Sequence, residues 1–302
     1  MSDKRRMTPS PPPIFDRALQ RKRLARALTK GAADFLLQWA VEDLCDRLAT
    51  VNRHFIRIAD IGTPLPTLAQ RLAAQDSDAQ IVRLAPLAAA LGQAPLLRLI
   101  GDEETLPFKP ESFDLAVSAL SLQMVNDLPG ALIQIRRCLK PDGLFIGALL
   151  GGATLQEMRQ ALAIAETEVT AGTSPRIAPF ADVRDMGGLL QRAGFALPVA
   201  DSEKLTVRYA DLFALMADLR AMGAANALCE RLPAPTRRQV FWRAAEIYRD
   251  RFADRDGRVR ATFEMIFLSG WAPHEGQQKP LAPGSAQMRL ADVLTDKTVG
   301  PK

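Results

Sequence analysis

The fold is decided by the stretch 128–150, which reads LPGALIQIRRCLKPDGLFIGALL. Apolar residues recur at intervals of four, three and four from Leu128 to Leu139, which is the spacing of one helix face. Asp127 and Pro129 suit the first turn of that helix, and the segment 140–143, KPDG, predicts a tight turn after it. The almost wholly apolar run 144–150 is typical of a strand covered by helices on both faces.

The same alternation extends in both directions from this stretch. Short apolar runs predict strands at 55–61, 80–84, 96–100, 113–118 and 144–150, and two further extended runs lie at 197–208 and 259–271. Helical spacing appears at 17–48, interrupted at Gly31, and again at 68–72, 154–169, 181–193, 211–222 and 237–252. The sequence therefore predicts an α/β fold with a doubly wound, mostly parallel, seven-stranded sheet, N-terminal helices and a helical insertion before the last strand.

The chain divides into four parts on this reading. We expect a flexible basic lead-in at 1–14, N-terminal helices at 15–50, an α/β domain at 51–272 and an irregular tail at 273–302, rich in Gly, Pro, Gln and Ser. The helical pair at 211–252 is expected to cover the carboxyl edge of the sheet.

The positive charge is concentrated at the N-terminus. Residues 1–30 hold nine Lys or Arg against two acids, a net charge of +7, so the rest of the chain carries about −2 of the total of +5. A solvated arm that is dispensable for folding is the favoured interpretation, and a contact with RNA, acidic lipid or an acidic partner is the alternative. Nucleic-acid binding is not predicted, because such proteins more often spread basic residues over a folded face.

Cysteine usage and hydropathy suggest a cytoplasmic protein. Cys45, Cys138 and Cys229 are far apart and show no paired spacing, which argues against a disulfide framework or a zinc site. No apolar run approaches the length of a membrane span, so at most peripheral membrane contact is expected.

Four motifs resemble those of class I S-adenosylmethionine methyltransferases: Asp60-x-Gly62, Asp102-x-x-x-Leu106-Pro107-Phe108, Phe113-Asp114-Leu115 and Leu139-Lys140-Pro141-x-Gly143. The resemblance implies a Rossmann-like fold and a cofactor site formed by Asp60, Gly62, Asp102 and Glu103. Asp102 would accept the adenine amino group of the cofactor, or would otherwise be a solvated turn acid. Asp60 would orient the cofactor or merely cap the loop, and a solvated position is the favoured interpretation of Glu103 and Glu104.

A second set of motifs resembles one subfamily, the methyltransferase-like assembly factors of respiratory complex I, whose mitochondrial member is an arginine hydroxylase. The motifs are Phe15-Asp16-Arg17, Asp102-Glu103-Glu104, Val125–Pro129, Ile146-Gly147-Ala148, Ala165–Glu168, Ser174–Phe180, Gly270–Glu275 and Gly284-Ser285-Ala286. The resemblance implies a protein substrate, a complex I (NADH:quinone oxidoreductase) subunit, and action on an arginine.

Departures from the family pattern predict weak S-adenosylmethionine binding. The second and third glycines of the family's loop are replaced by Pro64 and Pro66, and the acid expected after the second strand by Ala85. Glycine permits positive φ and close backbone approach to a ligand, whereas proline fixes φ and lacks the N–H. The family's His-Trp pair is Gln123-Met124 here.

Glu166, Glu168 and His274 are the candidate catalytic residues. The two glutamates are predicted on the helix after the fifth strand and could receive a guanidinium through paired hydrogen bonds, although a solvated helix face explains them as well. His274 could serve as a base near neutral pH or make a structural hydrogen bond. With two histidines 220 positions apart, no metal site is predicted.

Three functions remain open from the sequence. The first is an enzyme or former enzyme of the methyltransferase fold that acts in complex I assembly, as an arginine hydroxylase with a degenerate cofactor site. The second is a working methyltransferase of a small molecule or carrier-bound acid, and the third is a non-catalytic assembly chaperone. The prolines in the loop count against the second function and favour the third.

Overall fold

The computed structural model describes residues 12–92 and 96–278. The helices are α1 (Arg17–Lys30), α2 (Phe35–Ala49), α3 (Thr67–Gln75), α4 (Ala88–Leu91), α5 (Leu128–Cys138), α6 (Gln156–Thr170), α7 (Val183–Arg192), α8 (Leu212–Ala221) and α9 (Arg238–Phe252), with a 3-10 turn at Leu122–Met124. The strands are β1 (Arg57–Ile61), β2 (Gln80–Ala85), β3 (Leu97–Ile100), β4 (Phe113–Ala119), β5 (Leu139–Leu150), β6 (Ala196–Tyr209) and β7 (Val259–Trp271).

The strands form one sheet in the order β3-β2-β1-β4-β5-β7-β6. Pairing is parallel from β3 across to β5, and β7 runs antiparallel to both of its neighbours. The predicted seven-stranded, mostly parallel sheet is therefore confirmed. Strand order reverses between β1 and β4, and in doubly wound sheets ligands bind beyond the carboxyl ends of the strands at such a point.

Helices cover both faces of the sheet. On one face, α2 and α3 pack over β1, β4 and β5, with Leu44 and Leu68 fully buried. On the other, α5 and α7 bury Leu132, Ile135 and Leu190. The Asp127 side chain accepts a hydrogen bond from Gly130 N at the start of α5, and Pro129 lies in its first turn, which explains why the helix begins there.

A third apolar cluster joins the insertion to the carboxyl side of the sheet. Helices α6, α8 and α9 pack together there on β7, around Leu215, Tyr248 and Phe263. The insertion α8–α9 lies between β6 and β7 in the chain, as predicted.

The segment 140–143 does not form the predicted tight turn. The structure extends β5 back to Leu139, and the pairing of β4 with β5 shifts register between Phe113 and Leu115. Asp142, at φ 62°, takes the left-handed conformation inside this irregularity. Two backbone hydrogen bonds to Ala272 hold this bulge against the end of β7: Asp142 N donates to Ala272 O, and Ala272 N donates to Gly143 O.

The basic N-terminal segment is not a solvated arm over its described part, so that interpretation is wrong for residues 15–30. Phe15 is 5% exposed and forms a β-bridge with Leu228. The Asp16 side chain caps α1 by accepting from Leu19 N. The packing is apolar at Phe15 and ionic along α1, and charge composition alone does not reveal it. Residues 1–11 of the predicted lead-in, and 279–302 of the predicted tail, lie outside the described residues.

Candidate functional site

The loop after β1 lies at the reversal point of the sheet. Gly62 has φ +75°, a conformation that favours glycine, and its N–H donates to Leu84 O at 2.8 Å. A Cβ atom on Gly62 would collide with the side chains of Ser121 and Glu103. The glycine is therefore required by the close approach of the chain's own side chains.

Asp60 is completely buried and does not reach the cavity beside this loop. Its carboxylate forms an ion pair with Arg83 of β2 and accepts from the Thr63 hydroxyl. Arg83 also donates to the carbonyl oxygens of Thr63 at 2.5 Å and Ala90 at 2.9 Å. Burial raises the pKa of Asp60 in spite of the Arg83 charge. Asp60 thus holds the loop internally, and its carboxylate is not part of the cavity wall.

Sequence reasoning missed Arg83, although the sequence contained a signal. The strand Gln80-Ile81-Val82-Arg83-Leu84-Ala85 carries a single charge within an apolar run. Arginine is almost never fully buried unless it is paired. A charge at that position therefore indicates a buried acid on a neighbouring strand.

Asp102 and Glu103, directly after β3, meet two arginines of α1. Arg17 Nη2 lies 2.9 Å from Asp102 Oδ1 and also pairs with Glu103, and Arg21 pairs with Asp102. Glu103 is 2% exposed and accepts from Ser121 Oγ at 2.7 Å. Neither acid is a solvated turn residue, because α1 folds back over them.

The charge of Asp102 is stabilised by its neighbours. Burial opposes the ionised form, but the Glu104 amide and the guanidinium groups of Arg17 and Arg21 outweigh it and lower the pKa of Asp102. Each of the two acids is therefore already paired with an arginine of the same chain.

These residues do not fit S-adenosylmethionine in the usual arrangement. Ser121 and Glu103 occupy the space above Gly62, and α1 occupies the acids that would receive the adenosine part. Pro66 packs against Gly92 at the start of α3, where it offers no N–H to a ligand. Ala85 is fully buried against Ala90 and Leu91, with no acid in its place.

A cavity of about 340 Å³ lies between this loop, α1, α6 and the insertion. Its volume is within the range of small-ligand pockets. Most of its wall is apolar, as with Leu155, Met158, Met216, Leu219 and Phe263. Its polar lining includes Arg17, Arg21, Glu103, Gln123 and Arg176. The insertion thus covers the carboxyl edge of the sheet, where the sequence placed it.

Glu166 is 4% exposed and is committed to groups of its own chain. Arg176 donates to both of its oxygens, Nε at 3.0 Å and Nη2 at 2.5 Å, and Ser174 donates through its N–H and its hydroxyl. Burial opposes the charge, but these bonds outweigh it and lower the pKa of Glu166. Glu166 therefore orients Arg176, which lines the cavity, and does not itself face a substrate guanidinium. Sequence reasoning did not identify Arg176.

Glu168 and His274 lie elsewhere on the molecule. Glu168 is exposed and pairs with Arg243 of α9 at 2.6 Å, outside the cavity. His274 is exposed, and its Nδ1 accepts from Gly276 N at 3.1 Å. The structure does not bring the three candidate catalytic residues together. Within residues 12–92 and 96–278, no group of three or more His, Cys, Asp or Glu side chains is arranged to hold a metal ion.

The strand order and the loop after β1 define a protein of the class I methyltransferase type. A family model described as a methyltransferase domain matches residues 61–147. The solved structure of the YcgJ protein of Bacillus subtilis superposes with a TM-score of 0.53 at 16% identity, over 77% of this chain and 99% of that one. This structural likeness concerns the fold alone.

Similarity to two named relatives indicates which family of methyltransferase-fold proteins the chain belongs to. The chain is 40% identical over 287 residues to a human protein named arginine-hydroxylase NDUFAF5, mitochondrial, covering 93% of this chain and 83% of the human one. It is 35% identical to the malonyl-[acyl-carrier protein] O-methyltransferase of Laribacter hongkongensis, over 80% of this chain and 86% of that one. The chain belongs to the arginine-hydroxylase NDUFAF5 family.

Proposed function

We propose that this protein acts on an arginine side chain of a protein substrate, a subunit of respiratory complex I, as an arginine hydroxylase. The observation that carries the proposal is the 40% identity to a protein named arginine hydroxylase, sustained over 93% of the chain. The complex I subunit as substrate rests on the subfamily motifs at both ends of the chain.

The geometry of the cavity supports an arginine as substrate. A guanidinium is planar and pairs best with carboxylates that receive several of its N–H groups at once. At the carboxyl edge of the sheet, Asp102 and Glu103 already bind guanidinium groups of α1. The apolar wall formed by α6 and α8 suits the aliphatic stem of an arginine.

The chemistry requires an oxidant and a reductant besides the arginine. Hydroxylation by dioxygen inserts one oxygen atom into a C–H bond and reduces the other to water, so it consumes an electron pair and two protons from an external donor. The contribution we assign to this chain is to bind the arginine, orient it and exclude water from it.

Two other functions compete with this proposal. Methyl transfer from S-adenosylmethionine is disfavoured by Pro64, Pro66 and the α1 arginines on Asp102 and Glu103. An assembly chaperone would use the same surfaces to bind the subunit but would leave its arginine unchanged.

The location of the protein in the cell is a further part of the proposal. Among residues 12–92 and 96–278, no helix is both long and apolar enough to cross a bilayer. We propose that the protein acts in the cytoplasm, in at most peripheral contact with the membrane that holds complex I.

The experiment is deletion of the gene in the native host, followed by mass spectrometry of the complex I subunits. We expect one arginine to carry an added oxygen atom in the wild type and to lack it in the deletion strain. Re-expression of the wild-type chain should restore the added oxygen. Failed assembly with every arginine unchanged would establish the chaperone function instead. Normal assembly with every arginine unchanged would exclude a complex I role.

A further inference from the structure

The contact between α1 and the acids after β3 has the composition of a filled binding site. Two guanidinium groups, of Arg17 and Arg21, meet two carboxylates, of Asp102 and Glu103. Ser121 Oγ adds a further hydrogen bond to Glu103 Oε1 at 2.7 Å. The four charges cancel, so a ligand that replaces either arginine must itself be a cation that offers several donors.

The position of this contact is that of a ligand site. Arg17, Arg21 and Glu103 line the 340 Å³ cavity, beside Gly62 at the reversal point of the sheet. Glu103 is 2% exposed, so its hydrogen bonds lie in a low-dielectric environment, where each is stronger than in water. The carboxylates are thus part of a cavity wall and not an isolated surface cluster.

The backbone of α1 is held without these ion pairs. Phe15 N donates to Asn126 Oδ1 at 2.8 Å, and Asn126 Nδ2 donates to Phe15 O at 3.2 Å. Asp16 N donates to Ala227 O at 2.8 Å. The Arg21 side chain is 42% exposed. The Arg21 guanidinium can therefore swing away while α1 stays in place, whereas displacement of Arg17 would also break its hydrogen bonds to Gln20 and Met124 O.

The other acids considered as guanidinium receptors are committed elsewhere. Glu166 is bound on both oxygens by Arg176 and Ser174. Asp60 is buried against Arg83, and Glu168 lies outside the cavity. An incoming guanidinium could reach Asp102 by displacing Arg21, whose side chain is 42% exposed, and Glu103 by displacing Arg17, which is 15% exposed but lines the cavity.

We propose that Asp102 and Glu103 form the binding site for the substrate guanidinium, and that Arg17 and Arg21 occupy it until the substrate displaces them. This proposal rests on the proposed function, since it takes the substrate to be an arginine. An internal occupant is present at high effective concentration, so a free arginine binds weakly to the wild type. Removal of one internal guanidinium should tighten binding, as expected for two ligands that compete for one site.

The test uses three small probes on the full chain, with binding measured by NMR titration. They are N-acetyl-arginine methylamide, its lysine analogue and its citrulline analogue, which has nearly the shape of arginine but no charge. We expect the arginine probe to bind most tightly and the citrulline probe not at all. Arg21→Met should raise the affinity for the arginine probe by at least about five-fold. Glu103→Gln should lower that affinity by about ten-fold or more.

Arg243→Met is the matched control, because it removes a guanidinium that pairs with an exposed glutamate outside the cavity. It should leave the affinity unchanged. If Glu103→Gln fails to fold, as judged by circular dichroism, Asp102→Asn replaces it, and the Arg21→Met result still decides. Unchanged affinity in Arg21→Met, or equal binding of the citrulline probe, overturns the proposal.

The outcome is separable from that of the proposed function. An oxygen lost from a complex I arginine on gene deletion, together with no arginine-probe binding at Asp102 and Glu103, would refute this site alone. Selective probe binding with no modified arginine in the host would refute the hydroxylase function while leaving a guanidinium receptor in place.

Discussion

Arg83 on β2 and Asp60 on β1 are register partners in the sheet, and their side chains form an ion pair from which solvent is excluded. The resemblance to the methyltransferases implied that Asp60 contacts a cofactor. In this structure Asp60 pairs with Arg83 in the protein interior. Arg83 also donates to Thr63 O in the loop and to Ala90 O in α4, and it thereby connects these two segments. Contacts within the protein therefore hold this loop in place.

Breaking this pair should be costly. Arg83→Met leaves the Asp60 carboxylate buried without its partner, and we expect the free energy of unfolding to fall by about 3–5 kcal/mol. The double variant Asp60→Asn with Arg83→Met should recover part of that loss, because no buried charge remains. Urea unfolding measures all three chains. Arg208→Met, which breaks exposed ion pairs with Asp254 and Asp256, is the control and should change little.

S-adenosylmethionine should bind weakly. Because Pro64 and Pro66 offer no N–H groups and α1 covers the acids, we expect a dissociation constant above about 0.1 mM, equivalent to roughly −5.5 kcal/mol. Pro64→Gly with Pro66→Gly should strengthen binding by restoring backbone donors and freedom. The exposed loop at Pro233 and Pro235 has the same spacing, and its double glycine variant is the matched control. Low-micromolar affinity of the wild type in calorimetry would contradict this prediction.

The N-terminal segment should be essential to stability from Phe15 onward. Phe15→Ala removes a buried ring, and we expect a loss of about 3–5 kcal/mol in the free energy of unfolding. The neighbouring Ile14 is 47% exposed, so Ile14→Ala is a control that should cost far less. Thermal denaturation compares the two chains. Equal midpoints for both variants would mean that the segment does not pack.

The contact between Glu166 and Arg176 should contribute to stability in a pH-dependent way. Glu166→Gln should lower the free energy of unfolding by roughly 2–3 kcal/mol at neutral pH, because it weakens charged hydrogen bonds. The folded state lowers the pKa of Glu166 below its ordinary value of 4.5. The contribution is therefore complete above that value and is lost as the pH falls toward the pKa of the folded state.

The measurement is urea unfolding of wild type and Glu166→Gln at neutral pH and at a series of lower values. The difference between the two chains should shrink once the pH falls below 4.5. Glu168→Gln, on the exposed face of the same helix, should show little difference at any pH. A difference for Glu166→Gln that is constant with pH would exclude an ionic origin.

The sequence was sufficient for the fold because the fold depends on local periodicity. The helical spacing around Leu132 predicts one helix and its buried face, and the apolar run from Leu144 predicts one buried strand. The site depends on pairs that are distant in sequence, such as Arg17 with Glu103 and Arg83 with Asp60. No spacing rule connects such residues, so their partners became visible only in the folded chain.

The candidate acids illustrate the same limit. Asp102 and Glu103 were identified at the correct edge of the sheet, but the sequence did not show that α1 fills them. Glu166 was placed on the correct helix, but Arg176, ten positions later, turns its carboxylate inward. The role of a carboxylate depends on which charged group pairs with it, and that pairing is determined by the packing of the folded chain.

The insertion between β6 and β7 also bears on how this fold diversifies. Tyr209 and Val259 are register partners, so the chain leaves the sheet and returns to it at one rung of the ladder. The segment between these two positions, which includes the α8 residues on the cavity wall, is one insertion in the hairpin formed by β6 and β7. If this insertion were exchanged between relatives, the chain would be joined only at two neighbouring positions, Tyr209 and Val259. All strand pairings of the sheet would be kept. Selectivity for different partners can thus evolve by replacing one contiguous block of the gene.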